Sequence, residues 1–112
     1  MRPAWPGSVD GAPVSACTYL AVEADGRQVQ TVEGLGGDGA LDPLQQAFID
    51  AGAVQFGFCT PGMLMAAAAL LAEDPAPSRE AVVQHLRGNV CRCTGYAKIV
   101  DAVLACAREG RR

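Results

Sequence analysis

Four helical segments, each with its own start and stop signals, occupy the chain from residue 41 onward. Each segment opens with a residue that can accept a hydrogen bond at a helix N-terminus, and it ends at a glycine or just before a proline. Leu44 and Phe48 share one face of the first segment, and Val82, Val83 and Leu86 are expected to face the core from the third. This pattern predicts a mainly α fold. The predicted segments are 42–52, 60–73, 78–88 and 94–110.

A short motif recurs in this helical part of the chain. Cys59-Thr60 and Cys93-Thr94 each precede a long apolar helix, where the threonines are expected to be the N-caps. Two helical hairpins with matching cysteine loops would bring these loops together at one end of a four-helix bundle.

The first 36 residues follow a different pattern. Residues 1–13 are rich in Pro and Gly and show no periodicity, so they are expected to be extended or poorly ordered. A turn signal at Asp25-Gly26 precedes a short β-rich piece at 28–32. A strand of this length needs a sheet to join, and the sequence indicates no other strand. We therefore predict only a short β-containing segment here.

Charge and hydropathy exclude two classes of partner. The 112-residue chain has a net charge of −3, so it lacks the clustered positive charge that nucleic-acid binding requires. Its longest apolar run, Met63 to Ala72, is far shorter than the ~20 residues of a membrane span. The N-terminal residues contain no apolar core of a secretory signal, so we expect a reducing, cytoplasmic setting.

Five cysteines in a reducing compartment favour metal or redox chemistry over disulfides. Cys91 and Cys93 are separated by one residue, so their sulfurs can occupy neighbouring positions on a metal centre. Cys59 and Cys93 precede predicted helices, whose N-terminal N–H groups stabilise a thiolate and raise the reduction potential of an iron–sulfur cluster. Burial as small apolar side chains is the alternative for these cysteines.

Two long motifs carry a family resemblance. AVQFGFCTPGM at 53–63 and GNVCRCTGYAKIV at 88–100 closely resemble the iron–sulfur subunits of the molybdenum hydroxylase, or xanthine dehydrogenase, family. The segments at 13–35 and 41–55 are also similar, most of all to the small subunit of the aerobic carbon monoxide dehydrogenase type.

The resemblance implies two domains, each with one [2Fe–2S] cluster. Residues 1–36 are similar to part of a plant-ferredoxin-like domain, of which Cys17 is the fourth cluster ligand. Residues 41–109 are similar to the helical cluster domain, whose ligands fall at positions 56, 59, 91 and 93. In this family the residues at 55 and 93, here Gln55 and Cys93, approach the molybdopterin of a partner subunit.

The resemblance also implies partners and a role. The expected partners are a molybdopterin-binding large subunit and an FAD-binding medium subunit. Electrons would pass from the molybdenum site to the helical-domain cluster, then to the N-terminal cluster and on to FAD. The chain would thus be an electron-transfer subunit of an oxidoreductase complex and not catalytic alone.

Two departures from the family pattern limit this expectation. Position 56 is Phe, which has no lone pair for iron, so only Cys59, Cys91 and Cys93 remain for a cluster that needs four ligands. The residues before Val9 contain no cysteine, so Cys17 is an orphan ligand of the N-terminal cluster. We therefore predict impaired cluster loading.

Two alternatives to an electron-transfer subunit remain open. The chain could be a non-redox structural or assembly module that is metal-free or binds zinc through the three cysteines and His85 or water. It could also be a decayed fragment of such a subunit.

Overall fold

The computed structural model describes residues 6–36, 39–91 and 96–109. Within these ranges the chain forms a three-stranded antiparallel sheet followed by four α-helices, which confirms the predicted mainly α fold with a β-containing N-terminus. The strands are β1 (Pro6–Val9), β2 (Ala12–Ser15) and β3 (Val29–Gln30). The helices are α1 (Pro43–Asp50), α2 (Thr60–Glu73), α3 (Arg79–Leu86) and α4 (Ala97–Arg108).

The N-terminal strands correct the prediction of an irregular lead. Asp10 and Gly11 both have positive φ, +52° and +84°, as a tight two-residue hairpin turn requires, and they join β1 to β2. β3 pairs with the other edge of β1, with Val29 opposite Val9. The Asp10 carboxylate accepts a 2.9 Å hydrogen bond from the N–H of Gln28, which ties the turn to β3. Four-residue strands are too short to show alternation, so the sequence pattern missed them.

Local hydrogen bonds set both ends of α1, as predicted. Asp42 and Gln45 form a capping box at the N-terminus. The Asp42 carboxylate accepts a hydrogen bond from the Leu44 N–H, and the side-chain oxygen of Gln45 accepts one from the Asp42 N–H. At the C-terminus Gly52 adopts a φ of +65°, and the Ala53 N–H donates to the carbonyl of Phe48 at 2.9 Å. This left-handed glycine ends the helix and turns the chain toward the first cysteine loop.

Helix α2 is the central element of the fold. It contacts the sheet through β1 and β2 and also contacts each of the other three helices. Most of its side chains are buried, including Met63, Ala67 and Leu71 at 0% exposure. Its alanine side chains are small, so the sheet and the other helices can pack close to its backbone.

Helices α3 and α4 pack against each other, and Arg79 forms an exposed ion pair with Asp101 across them. Ser78 caps α3 as predicted, because its hydroxyl accepts a hydrogen bond from the Ala81 N–H. The expectation that Val83 faces the core is wrong: it is 49% exposed. Val82 and Leu86 form the buried stripe, and Val83 lies about 100° around the helix from Val82.

None of the helices in the described part of the chain has the length and apolar character needed to cross a bilayer.

Candidate metal centre at the two cysteine loops

The first cysteine loop joins α1 to α2 and ends on Cys59. Cys59 occupies the N-cap position of α2, and its carbonyl accepts the Met63 N–H at 3.1 Å. Thr60, predicted to be the N-cap, is instead the first helical residue. The half-buried Cys59 packs against the apolar core. Cys59 therefore lies at the N-terminal end of α2, where the helix dipole is positive.

Phe56 projects from this loop into solvent. Its side chain is 81% exposed, and the neighbouring Phe58 is 57% exposed. The two rings lie 6.4 Å apart with an interplanar angle of 36°. Gly57 between them has a φ of +97°, a backbone conformation that a side chain at this position would strain. Position 56 thus contributes an exposed ring and no donor atom for a metal.

The second cysteine loop joins α3 to α4 and contains Cys91. Cys91 is 6% exposed and belongs to the apolar core. Its backbone N–H donates a 2.8 Å hydrogen bond to the phenol oxygen of Tyr96, at the start of α4. Cys93 and Thr94 lie outside the described residues, so the roles predicted for them stay predictions.

The structure brings some of the candidate residues to one core. Cys59 packs against the buried cluster that contains both Cys91 and Cys106. His85 is half-buried on α3, and Gln55 is exposed beside Phe56. Across residues 6–36, 39–91 and 96–109, no group of three or more Cys, His, Asp or Glu side chains is placed to hold a metal ion.

Cys17 lies apart from these loops in sequence. Its backbone is part of a short 3-10 turn, Ala16–Thr18, that follows β2. Its predicted role as the leftover ligand of an N-terminal cluster stays a prediction.

The donor set does not match a [2Fe–2S] cluster held by four cysteines. Such a cluster needs four protein ligands. The two loops offer Cys59, Cys91 and, by sequence, Cys93, whereas Phe56, at the position where the resemblance predicts the fourth ligand, turns an apolar ring to solvent. The chain's own residues therefore do not fit a cluster with four thiolate ligands.

Two residues of the second loop escaped the sequence reasoning. Tyr96 lies at the start of α4, and its hydroxyl accepts a hydrogen bond from the backbone N–H of Cys91. Asn89 is 7% exposed, and its buried Nδ2 has no hydrogen-bond partner among the residues that the structure describes. Both flank the C-x-C motif, which is the signal that could have found them. They line a cavity of about 360 Å³ between α3 and α4, together with Val83, Leu86, Arg87 and Val100.

Known proteins are similar to this chain in both sequence and fold. The nicotine 6-hydroxylase small subunit of Paenarthrobacter nicotinovorans is 55% identical, over 86% of this chain and 58% of its own length. The xanthine dehydrogenase iron–sulfur-binding subunit of Escherichia coli O157:H7 is 48% identical, over 89% of this chain and 64% of its own length. The quinoline 2-oxidoreductase of Pseudomonas putida 86 superposes with a TM-score of 0.86 and 47% identity, covering 96% of this chain and 69% of that one.

The match extends over most of the chain but not over the whole of its relatives. This chain spans less than two thirds of the length of either small subunit. The [2Fe-2S] binding domain family matches residues 31–104, which include both cysteine loops, helices α1 to α3 and most of α4. The resemblance inferred from the two cysteine motifs is thereby confirmed, and the chain belongs to the [2Fe-2S] binding domain family.

Proposed function

We propose that this chain is an iron–sulfur electron-transfer subunit of a molybdenum-dependent dehydrogenase or hydroxylase, in which Phe56 impairs cluster loading. The observation that carries the proposal is the pairing of two matched cysteine loops with a phenylalanine at one ligand position. Without a full cluster, the relay from molybdopterin toward FAD is weak in the unaltered chain. Phe56→Cys is expected to restore it.

The proposed architecture follows from the same resemblance. Residues 41–109 are the cluster domain, a bundle of two helical hairpins whose cysteine loops lie at one end. Residues 1–36 are part of the ferredoxin-like domain, in which Cys17 is a cluster ligand. The change along the chain from strands to α-helices supports this division.

The proposed partners are a molybdopterin-binding large subunit and an FAD-binding medium subunit. The exposed apolar side chains of the first cysteine loop, Val54, Phe56 and Phe58, support a subunit role, because clustered exposed apolar side chains typically mark an interface. In this arrangement Gln55 and Cys93 are the residues closest to the molybdopterin.

Iron and acid-labile sulfide per chain test the proposal after anaerobic reconstitution. Phe56→Cys is expected to bind about two irons and two sulfides, because it completes the four thiolate ligands of a [2Fe–2S] cluster. The unaltered chain is expected to retain much less after desalting. Phe58→Cys is the matched control, since it adds a thiol to the same exposed loop at a position that is not a ligand.

Two outcomes would contradict this proposal. Stable loading of two irons by the unaltered chain would show that Phe56 does not impair the site. Equal loading by Phe56→Cys and Phe58→Cys would show that any added thiol suffices, which would remove the special role of position 56.

A non-redox module is the second candidate, and Phe56 is the observation that favours it. Three thiolates with His85 or water suit tetrahedral zinc better than they suit a cluster. Zinc analysis and the visible spectrum of the purified chain separate the two functions. A colourless protein with one tightly bound zinc supports the module, whereas charge-transfer bands in the visible region support the electron-transfer subunit.

A further inference from the structure

One hydrogen bond closes the second cysteine loop from within. The N–H of Cys91 donates to the phenol oxygen of Tyr96 at 2.8 Å. The two residues are five positions apart, and the backbone between them leads from α3 into α4. The bond therefore joins the entrance of the loop to its exit and restrains the backbone that carries the Cys91 sulfur.

Tyr96 lies where α3, α4 and the second cysteine loop meet. It is 40% exposed, and it lines the cavity between α3 and α4 together with Leu86 and Val100, which are 4% and 5% exposed. The hydroxyl that accepts the Cys91 N–H therefore belongs to a residue at the rim of this cavity.

The backbone of Tyr96 indicates that its position is enforced by its surroundings. Its φ is +72°, in the left-handed region that side chains other than glycine rarely adopt. Its carbonyl nevertheless accepts the Val100 N–H at 3.0 Å and starts α4. A disfavoured conformation of this kind persists only where the contacts around it determine it.

We propose that Tyr96 is a positioning residue for the Cys91 thiol, acting through the Cys91 amide and not through contact with a metal. The restraint on Cys91 needs no metal, because both partners of the hydrogen bond are residues of this chain. Its consequence for metal loading rests on the proposed function, in which Cys91 is a ligand.

The first test uses the metal-free chain and the variant Tyr96→Phe, which keeps the ring and removes the hydroxyl. The measured quantity is the alkylation rate of individual cysteines by iodoacetamide, followed by peptide mass spectrometry. Loss of one hydrogen bond is expected to accelerate labelling of Cys91 about fivefold to tenfold by favouring local opening of the loop. Cys106, 1% exposed in α4, reports on opening of the core and is expected to keep its rate.

A matched control is present in the chain itself. Tyr19 is the other tyrosine and lies in the N-terminal segment, so Tyr19→Phe removes a hydroxyl away from the cysteine loops. It is expected to change neither labelling rate. An unchanged rate at Cys91 in Tyr96→Phe would overturn the proposal. Equal acceleration at Cys91 and Cys106 would also overturn it, because Tyr96 would then stabilise the whole domain and not the loop.

The second test links the restraint to the proposed function. In a Phe56→Cys background, adding Tyr96→Phe is expected to lower iron per chain and to shift the visible charge-transfer bands, while adding Tyr19→Phe leaves both unchanged. A Phe56→Cys, Tyr96→Phe chain with the iron content and spectrum of Phe56→Cys alone would contradict a positioning role. If Phe56→Cys itself binds no iron, the proposed function fails, and the alkylation rates still decide the role of Tyr96.

Discussion

Phe48 on α1 and Phe56 in the first cysteine loop should contribute very differently to stability. Phe48 on α1 is 1% exposed, whereas Phe56 is 81% exposed. A buried phenylalanine removes roughly 200 Å² from water, worth about 5 kcal/mol at about 25 cal/mol per Å². Phe56 buries only about a fifth of that area, which corresponds to about 1 kcal/mol at most.

Truncation to alanine turns this difference into a measurement. Phe48→Ala is expected to lower the free energy of unfolding by about 3 to 5 kcal/mol, and Phe56→Ala by less than about 1 kcal/mol. Urea unfolding followed by far-UV circular dichroism reports both values. With a slope of about 1.5 kcal/mol per molar urea, the midpoint of Phe48→Ala falls by about 2 to 3 M. If that variant is unfolded without urea, Phe48→Leu gives a smaller shift of the same sign.

The refuting result concerns Phe56. A loss of stability in Phe56→Ala close to that in Phe48→Ala would mean that the Phe56 ring is part of the core. Phe56→Cys would then disturb the fold as well as the ligand set. A small loss keeps Phe56→Cys a clean test of cluster loading.

Three further variants test local features of the fold. Asp42→Ala removes the carboxylate that accepts the Leu44 N–H at 2.8 Å, so urea unfolding should show a loss of about 1 kcal/mol; an unchanged midpoint would refute the capping box. Gly52→Ala forces a side chain into a φ of +65° and should cost roughly 1 kcal/mol or more in the same assay. The Thr31 hydroxyl, and then the backbone N–H of Glu33, lower the pKa of Glu33. Glu33 therefore stabilises the fold at pH values above its ordinary pKa, and this contribution is lost as the pH falls through the lowered pKa. An NMR titration of Thr31→Val should show the pKa of Glu33 moving back up, and an unmoved value would refute the hydrogen bond.

The helices were predictable where short-range chemistry defines them. The capping box at Asp42 and the left-handed Gly52 act within a few residues of each helix end, so α1 appears where the pattern put it. The start of α2 is displaced by one residue, because Cys59 takes the cap position and Thr60 becomes the first helical residue. Helix ends of that kind depend on packing as well as on the local sequence.

The strands were not predictable in the same way. β1 and β2 are four residues each, and β3 has two, so none carries a clear alternating pattern. β1 and β2 pair across the turn at Asp10 and Gly11, whereas β3 pairs with β1 from about 20 residues further along the chain, and the sheet packs on α2. Sheet pairing of this kind depends on neighbours in space more than on intrinsic preference.

The sequence alone shows that residue 56 cannot be a metal ligand. A phenylalanine side chain has no lone pair, and no fold can change that. The cap signals of α1 and α3 are likewise complete within one helical turn, and the sequence alone defines them. Only the tertiary structure decides which distant groups meet. It turns Phe56 outward, buries Cys91 in the core and brings the Tyr96 hydroxyl to the Cys91 amide, because these placements depend on the packing of α3 against α4 and of both loops on the core.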